Sequence, residues 1–102
     1  MLILSVQFKK FYVNSMKAKV KKMTLNKKLV ITMEECGELV RACSKILRHG
    51  TKTEKYTQNL IEEIADVEAM LYIITKEFNF KSEDLEVLIE KRIDKMMRPE
   101  YE

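Results

Sequence analysis

Six apolar residues, Leu29, Met33, Cys36, Val40, Cys43 and Leu47, recur at steps of 4-3-4-3-4, and Leu60, Ile64, Val67, Leu71, Ile74 and Phe78 repeat the same steps. Steps of three and four keep residues on one side of an α-helix, whereas a strand needs steps of two. The first series predicts a helix from about Leu25 to Arg48, stopped by His49-Gly50. The second predicts one from about Tyr56 to Phe78, after a polar loop from Thr51 to Lys55. Two long helices on so short a loop are expected to pack antiparallel. Asn79 to Lys81 breaks the second helix. Ser82 is the expected N-cap of a third, with Glu83 and Asp84 where the helix dipole favours anions, and Pro99 ends it after about Met97. Two Gly, one Pro and no Trp argue against an all-β fold or a long flexible linker. The expected class is all-α, an antiparallel helical bundle.

A chain of 102 residues is expected to be one domain with a modest core that partner chains would help to complete. Charge divides it. Residues 1–33 hold eight Lys and no acidic residue, and the remainder holds 11 basic and 16 acidic residues. Residues 1–23 are therefore read as a basic arm, with a short helix over 15–23, and residues 24–102 as the helical domain. A basic arm can attract a polyanion, but no interleaved aromatics or nucleic-acid motif support nucleic-acid binding, and a solvated arm is the simpler expectation. No apolar run approaches the roughly 20 residues that span a bilayer. Met1 to Val6 is apolar, but it is short and no basic residue precedes it, so it reads poorly as a signal peptide. Cys36 and Cys43 stand seven apart, two helical turns and about 10 Å, too far for a disulfide. They are expected to be small buried apolar residues in a reducing, cytoplasmic setting, and the seven Met are expected to be mostly core filler.

Two acidic words interrupt the apolar pattern: Glu34-Glu35-Cys36-Gly37-Glu38, and Glu62-Glu63-Ile64-Ala65-Asp66. At about 100° per residue, with Cys36 at zero, Glu35 falls near 260° and Glu38 near 200°, opposite the apolar stripe. That position suits a solvated face. Ile31 and Ala42 nevertheless lie between the two glutamates, and Leu39 and Ile46 flank them. The second helix repeats the arrangement, Glu63 and Asp66 standing beside Met70 and Ile73. Each helix thus carries a second, mixed face that another helix or subunit is expected to cover. Glu34 and Glu62 lie further round, as outer groups or ordinary surface charge. Carboxylates in such a face need compensation, from Lys or Arg or from a divalent cation. An all-oxygen set suits Mg²⁺, Mn²⁺ or Ca²⁺ rather than zinc. A ferritin-like di-iron site is disfavoured, because it needs Glu-x-x-His pairs and the single histidine, His49, is in neither word.

The pair Glu35 and Glu38, followed on the next helix by the pair Glu63 and Asp66, within "EECGEL" and "EEIADV", resembles the MazG-like, all-α nucleoside triphosphate pyrophosphohydrolases. That superfamily also holds dimeric dUTPases and phosphoribosyl-ATP pyrophosphatase. The resemblance covers roughly residues 25–98, looks closest to small single-domain phage and bacterial members, and has no counterpart for residues 1–23. It implies a bundle completed by oligomerisation, as a homodimer or homotetramer, with Glu35, Glu38, Glu63 and Asp66 as Mg²⁺ ligands. It implies hydrolysis of a nucleoside triphosphate, NTP or dNTP, to the monophosphate and pyrophosphate. The alternatives are phosphoribosyl-ATP hydrolysis, or a non-catalytic helical module binding nucleic acid through the basic arm. Glu34 or Glu35 would accept a proton from the attacking water. A triphosphate also needs cationic contacts. Lys91, Lys95 and Arg98 step by four and three along the last helix and are the first candidates, Arg48 and Lys52 the next, with Asn59 placed to touch metal-bound water or ribose.

Overall fold

The computed structural model describes residues 22–101, all of whose regular structure is helical. The basic arm and the short helix expected before residue 22 lie outside the described residues. Helix α1 spans Leu25–His49, α2 spans Glu54–Glu77 and α3 spans Ser82–Met96, followed by a 3₁₀ turn, Pro99–Tyr101. No helix among the described residues is long and apolar enough to cross a membrane.

Local chemistry accounts for the ends. The Thr24 hydroxyl accepts the Lys27 N–H at 3.1 Å and caps α1, a bond type that typically adds about 1 kcal/mol to helix stability. At the other end Gly50 adopts φ 81°, a left-handed conformation with little cost only for glycine, and donates to the Ile46 carbonyl at 2.8 Å. The turn into α2 is closed by His49 and Tyr56, whose rings stack 4.3 Å apart. Helix α2 ends in a Schellman motif. Asn79 takes φ 55°, its N–H reaches the Lys76 carbonyl, and the Phe80 N–H reaches that of Thr75, both at 3.1 Å. The Phe78 and Phe80 rings stack across this turn at 5.3 Å. Helix α3 starts one residue earlier than expected. Lys81 takes the N-cap place without a side-chain bond, and Ser82 is the first helical residue. Glu83 and Asp84 still sit in the first turn.

Helices α1 and α2 form the hairpin in which the chain's main tertiary contacts are made. Its interior departs from one expectation, the burial of Cys36 and Cys43. On α1 the packed face is the mixed one, with Ala42 only 1 % exposed and Ile31, Leu39 and Ile46 half-buried; on α2 it combines Val67 and Ile74 of the regular stripe with Met70 and Ile73 of the mixed face. The regular stripe of α1 faces outward, with Met33 73 %, Val40 67 % and Leu47 88 % exposed. Cys36 and Cys43 share that stripe and are exposed free thiols, not buried residues. Met33, Met96 and Met97 are exposed too, so Met70 is the buried methionine among the described residues. The physical reason lies in shape. The small Ala42 lets α2 approach α1 closely, and a helix pair can seal only one face of each member. At the open end of the hairpin Lys28, 5 % exposed, donates to Glu77 Oε2 at 2.8 Å and ties the start of α1 to the end of α2.

Candidate metal centre

Midway along the hairpin, α1 contributes Glu35 and α2 contributes Glu63 and Asp66. One carboxylate oxygen from each lies within 4.8 Å of the others, and they form a metal-capable cluster among the described residues. Glu35 and Glu63 are half-buried and Asp66 is exposed, so the group opens to solvent on the Asp66 side. The helical register explains the meeting. Glu63 and Asp66 are three apart on one face of α2, and antiparallel packing brings that face against the Glu35 side of α1.

The electrostatics are unfavourable as the group stands. Burial first, then repulsion from Asp66, Glu63, Glu38 and Glu34 in that order, raises the Glu35 carboxyl above its ordinary value. Glu63 Oε2 is closed off from solvent and meets no hydrogen-bond donor. An unpaired buried carboxylate oxygen is costly. A divalent cation ligated by oxygen fits this donor set.

The remaining expected residues divide. Glu38 does not join the three. Its Oε1 accepts from Arg41 Nη1 at 3.2 Å, both side chains largely exposed, a pair of small energetic value. Its charge is still felt by Glu35. Glu34 and Glu62 are exposed, and Glu62 accepts from Gln58 Nε2 at 3.3 Å. Asn59 is half-buried, and its Oδ1 faces Lys45 Nζ at 3.5 Å across the interface. Arg48 is exposed at the end of α1 and Lys52 is exposed in the loop. Lys91 and Lys95 are exposed on α3, while Arg98 lies beyond its last residue, so the expected stripe of three is one helical pair plus a residue of the following turn. Helix α3 and Tyr72, Thr75 and Lys76 of α2 line a cleft of about 360 Å³. Tyr72 follows Glu63 by nine residues, about half a turn round the helix, so α3 sits on the side of α2 turned away from the carboxylates.

Lys45 is the residue sequence reasoning missed. It stands two helical turns beyond Glu38 on the same side of α1, and that position could have singled it out. Its partner Asn59 belongs to the other helix, so only the fold joins them. Compared with known proteins, the chain matches no family model, no curated protein and no solved structure.

Proposed function

We propose that this protein is a Mg²⁺-dependent nucleoside triphosphate pyrophosphohydrolase of the MazG-like kind, with Mn²⁺ as an alternative ion. The observation that carries the reading is the convergence of Glu35, Glu63 and Asp66 from two helices, with a buried Glu63 oxygen that has no partner. These three hold the cation, and Glu38, close enough to influence Glu35, joins them by releasing Arg41. A divalent cation supplies charge neutralisation for the polyphosphate and lowers the pKa of bound water. Water attacks the α-phosphorus, the bond to the oxygen bridging the α- and β-phosphates breaks, and nucleoside monophosphate and pyrophosphate leave. The proton from water goes to a carboxylate. Glu34 lies outside the three-oxygen group and keeps a free carboxylate for it, whereas Glu35 accepts it only on an oxygen not given to the cation.

The substrate's remaining negative charge calls for cations on the acidic side of the hairpin. Lys45, already paired with Asn59 there, takes first place. Lys91, Lys95, Arg98, Arg48 and Lys52 are outer candidates. The protein works as a homodimer or as a tetramer built from dimers, in a reducing cytoplasmic setting consistent with two free thiols.

The decisive assay is pyrophosphate release from a panel of NTPs, dNTPs and phosphoribosyl-ATP with Mg²⁺. Equimolar monophosphate and pyrophosphate from a nucleoside triphosphate is the expected result. Turnover of phosphoribosyl-ATP alone would move the reading to that reaction. No turnover of any substrate, with the helices intact by circular dichroism, would overturn it.

A further inference from the structure

We infer, on the metal reading proposed above, that Arg41 holds substrate phosphate, and that by exchanging Glu38 for the polyphosphate it couples substrate binding to cation binding.

The register of α1 sets the arrangement. Glu38, Arg41, Lys45 and Arg48 follow one another at steps of three, four and three. On the helical wheel they fall within about 80° of one another, in a line that rises about 15 Å from the acidic group toward the loop. Lys45 fixes the side of the hairpin on which this line lies. It meets Asn59 of α2, and Asn59 stands seven residues from Asp66, two turns away on the same side of that helix. The line therefore runs along the side on which the acidic group opens to solvent. It begins with one anion and continues with three cations.

Among the described residues, the ion pair in this line is that of Arg41 with Glu38, and neither Lys45 nor Arg48 belongs to one. Glu62, the acidic residue of α2 on this side, accepts from Gln58 and not from a cation. The Arg41–Glu38 pair is weakly held. Arg41 Nη1 lies 3.2 Å from Glu38 Oε1, with the two side chains 69 % and 50 % exposed. An exposed pair of this kind shifts an equilibrium by no more than about fivefold.

Both members of the pair have a stronger partner when the ligands arrive. Glu38 stands one turn from Glu35, and its charge already disfavours ionisation there, so a divalent cation at the group attracts it. Four carboxylates exceed the charge of one divalent cation, and a polyphosphate approaching them needs cations within reach. Arg41 is the guanidinium that touches the acidic side chains, and its planar fork offers paired N–H donors to phosphate oxygens. Lys91 and Lys95 stand on α3, behind α2, and do not compete for this place. A cation that draws Glu38 away frees Arg41 for phosphate, and phosphate that draws Arg41 away frees Glu38 for the cation. Each ligand then raises the affinity for the other by the same factor.

Calorimetric titration of the full chain reads both halves. The probes are Mn²⁺ alone, and inorganic tripolyphosphate with Mg²⁺ in excess, which leaves base preference out of the result. The proteins are the original, Arg41→Gln, Glu38→Gln and the double variant, with helix content followed by circular dichroism; the exposure of both side chains predicts that the fold is kept. Arg41→Gln is expected to bind Mn²⁺ up to about fivefold more tightly, because Glu38 is released. The same variant is expected to bind tripolyphosphate about tenfold or more weakly, because a charged donor is lost. Arg41→Lys, which keeps the charge without the fork, is expected to fall between the two in tripolyphosphate affinity. In the Glu38→Gln background, Arg41→Gln is expected to bring no gain in Mn²⁺ affinity, which separates release of Glu38 from the mere loss of a positive charge. Mn²⁺ binding in the original protein, with either affinity unchanged by Arg41→Gln, would overturn the inference and leave the metal reading standing. An equal gain in Mn²⁺ affinity in both backgrounds, or no tripolyphosphate binding by the original protein, would overturn it too. No Mn²⁺ binding by the original protein would overturn the metal reading and this inference with it.

Discussion

Two places on the same helix interface hold charge, and they are unlike. At the open end Lys28, almost wholly buried, meets Glu77 at 2.8 Å, so the chain supplies both signs. Midway along, Glu35, Glu63 and Asp66 meet with one sign only, and an oxygen of Glu63 has no donor. The first place is complete within one chain. On the proposed reading, the second is completed by a cation from outside. If the proposal holds, the contrast separates a charge buried for structure from charges held for a ligand, although both occupy one continuous interface.

The largest effect expected from breaking the contrast is on turnover. Asp66→Asn or Glu63→Gln should lower Mg²⁺-dependent pyrophosphate release by about 10³-fold, the several kcal/mol ascribed to a metal at the reacting phosphate, with helix content by circular dichroism unchanged. Glu38→Gln should lower it as well if Glu38 leaves Arg41 for the cation, and full activity in that variant would confine the ligands to the other three.

At the paired end the effect should fall on stability instead. Glu77→Gln leaves the buried Lys28 ammonium without its anion and should cost about 2 kcal/mol in urea unfolding, less than a fully buried pair because Glu77 is a third exposed. Turnover per folded molecule should be unchanged. A loss of turnover without a loss of stability would reverse the roles assigned to the two places.

A smaller effect should distinguish the candidate phosphate contacts. Lys45→Ala removes a charge on the acidic side and should raise KM about tenfold, roughly 1.4 kcal/mol, with metal affinity little changed. Lys95→Ala, on the helix behind α2, should change KM by less. The opposite order would return the phosphate contact to α3.

The smallest effect concerns Glu35 in metal-free protein. Its carboxyl is raised by burial first and then by its acidic neighbours, so the folded state holds that proton more tightly than the unfolded chain does. The associated stability is full below the ordinary carboxylate value and is lost as pH rises through the raised one. Melting temperature without metal should therefore decline across that interval, and Glu35→Gln should remove the decline and leave the variant more stable above it. Mg²⁺ at neutral pH should restore stability to the original protein and not to the variant. A flat profile in the original would remove the electrostatic strain from the account.

The helices, the short loop between α1 and α2 and the break at Asn79 were legible because each rests on local chemistry: apolar spacing, a glycine at positive φ, an asparagine in a Schellman turn. The meeting of Glu35, Glu63 and Asp66 was legible because spacing on two helices fixes which sides can face. Which face packs inside was not legible. Leu29, Met33, Cys36, Val40, Cys43 and Leu47 form the more regular stripe, yet the interior went to the mixed face around Ala42. Periodicity reports that a face avoids water; it does not report which neighbour covers it. Glu38 shows a second limit, since a helical angle fixes where a side chain starts and not which partner, here Arg41, its rotamer selects. Lys45 shows a third, because its partner Asn59 is on another helix and the pair exists only once the hairpin has formed.

The claim at the centre of this account is that one charged place on the interface takes a divalent cation and the other does not. Calorimetric titration of Mn²⁺ into the full chain, without nucleotide, tests it in the original protein, in Asp66→Asn and in Glu77→Gln. The account predicts saturable binding in the original, weakened by about 100-fold or more in Asp66→Asn, since even supporting residues of metal sites cost roughly 10–100-fold, and retained in Glu77→Gln. Equal binding in all three, or binding lost in Glu77→Gln and kept in Asp66→Asn, would contradict it.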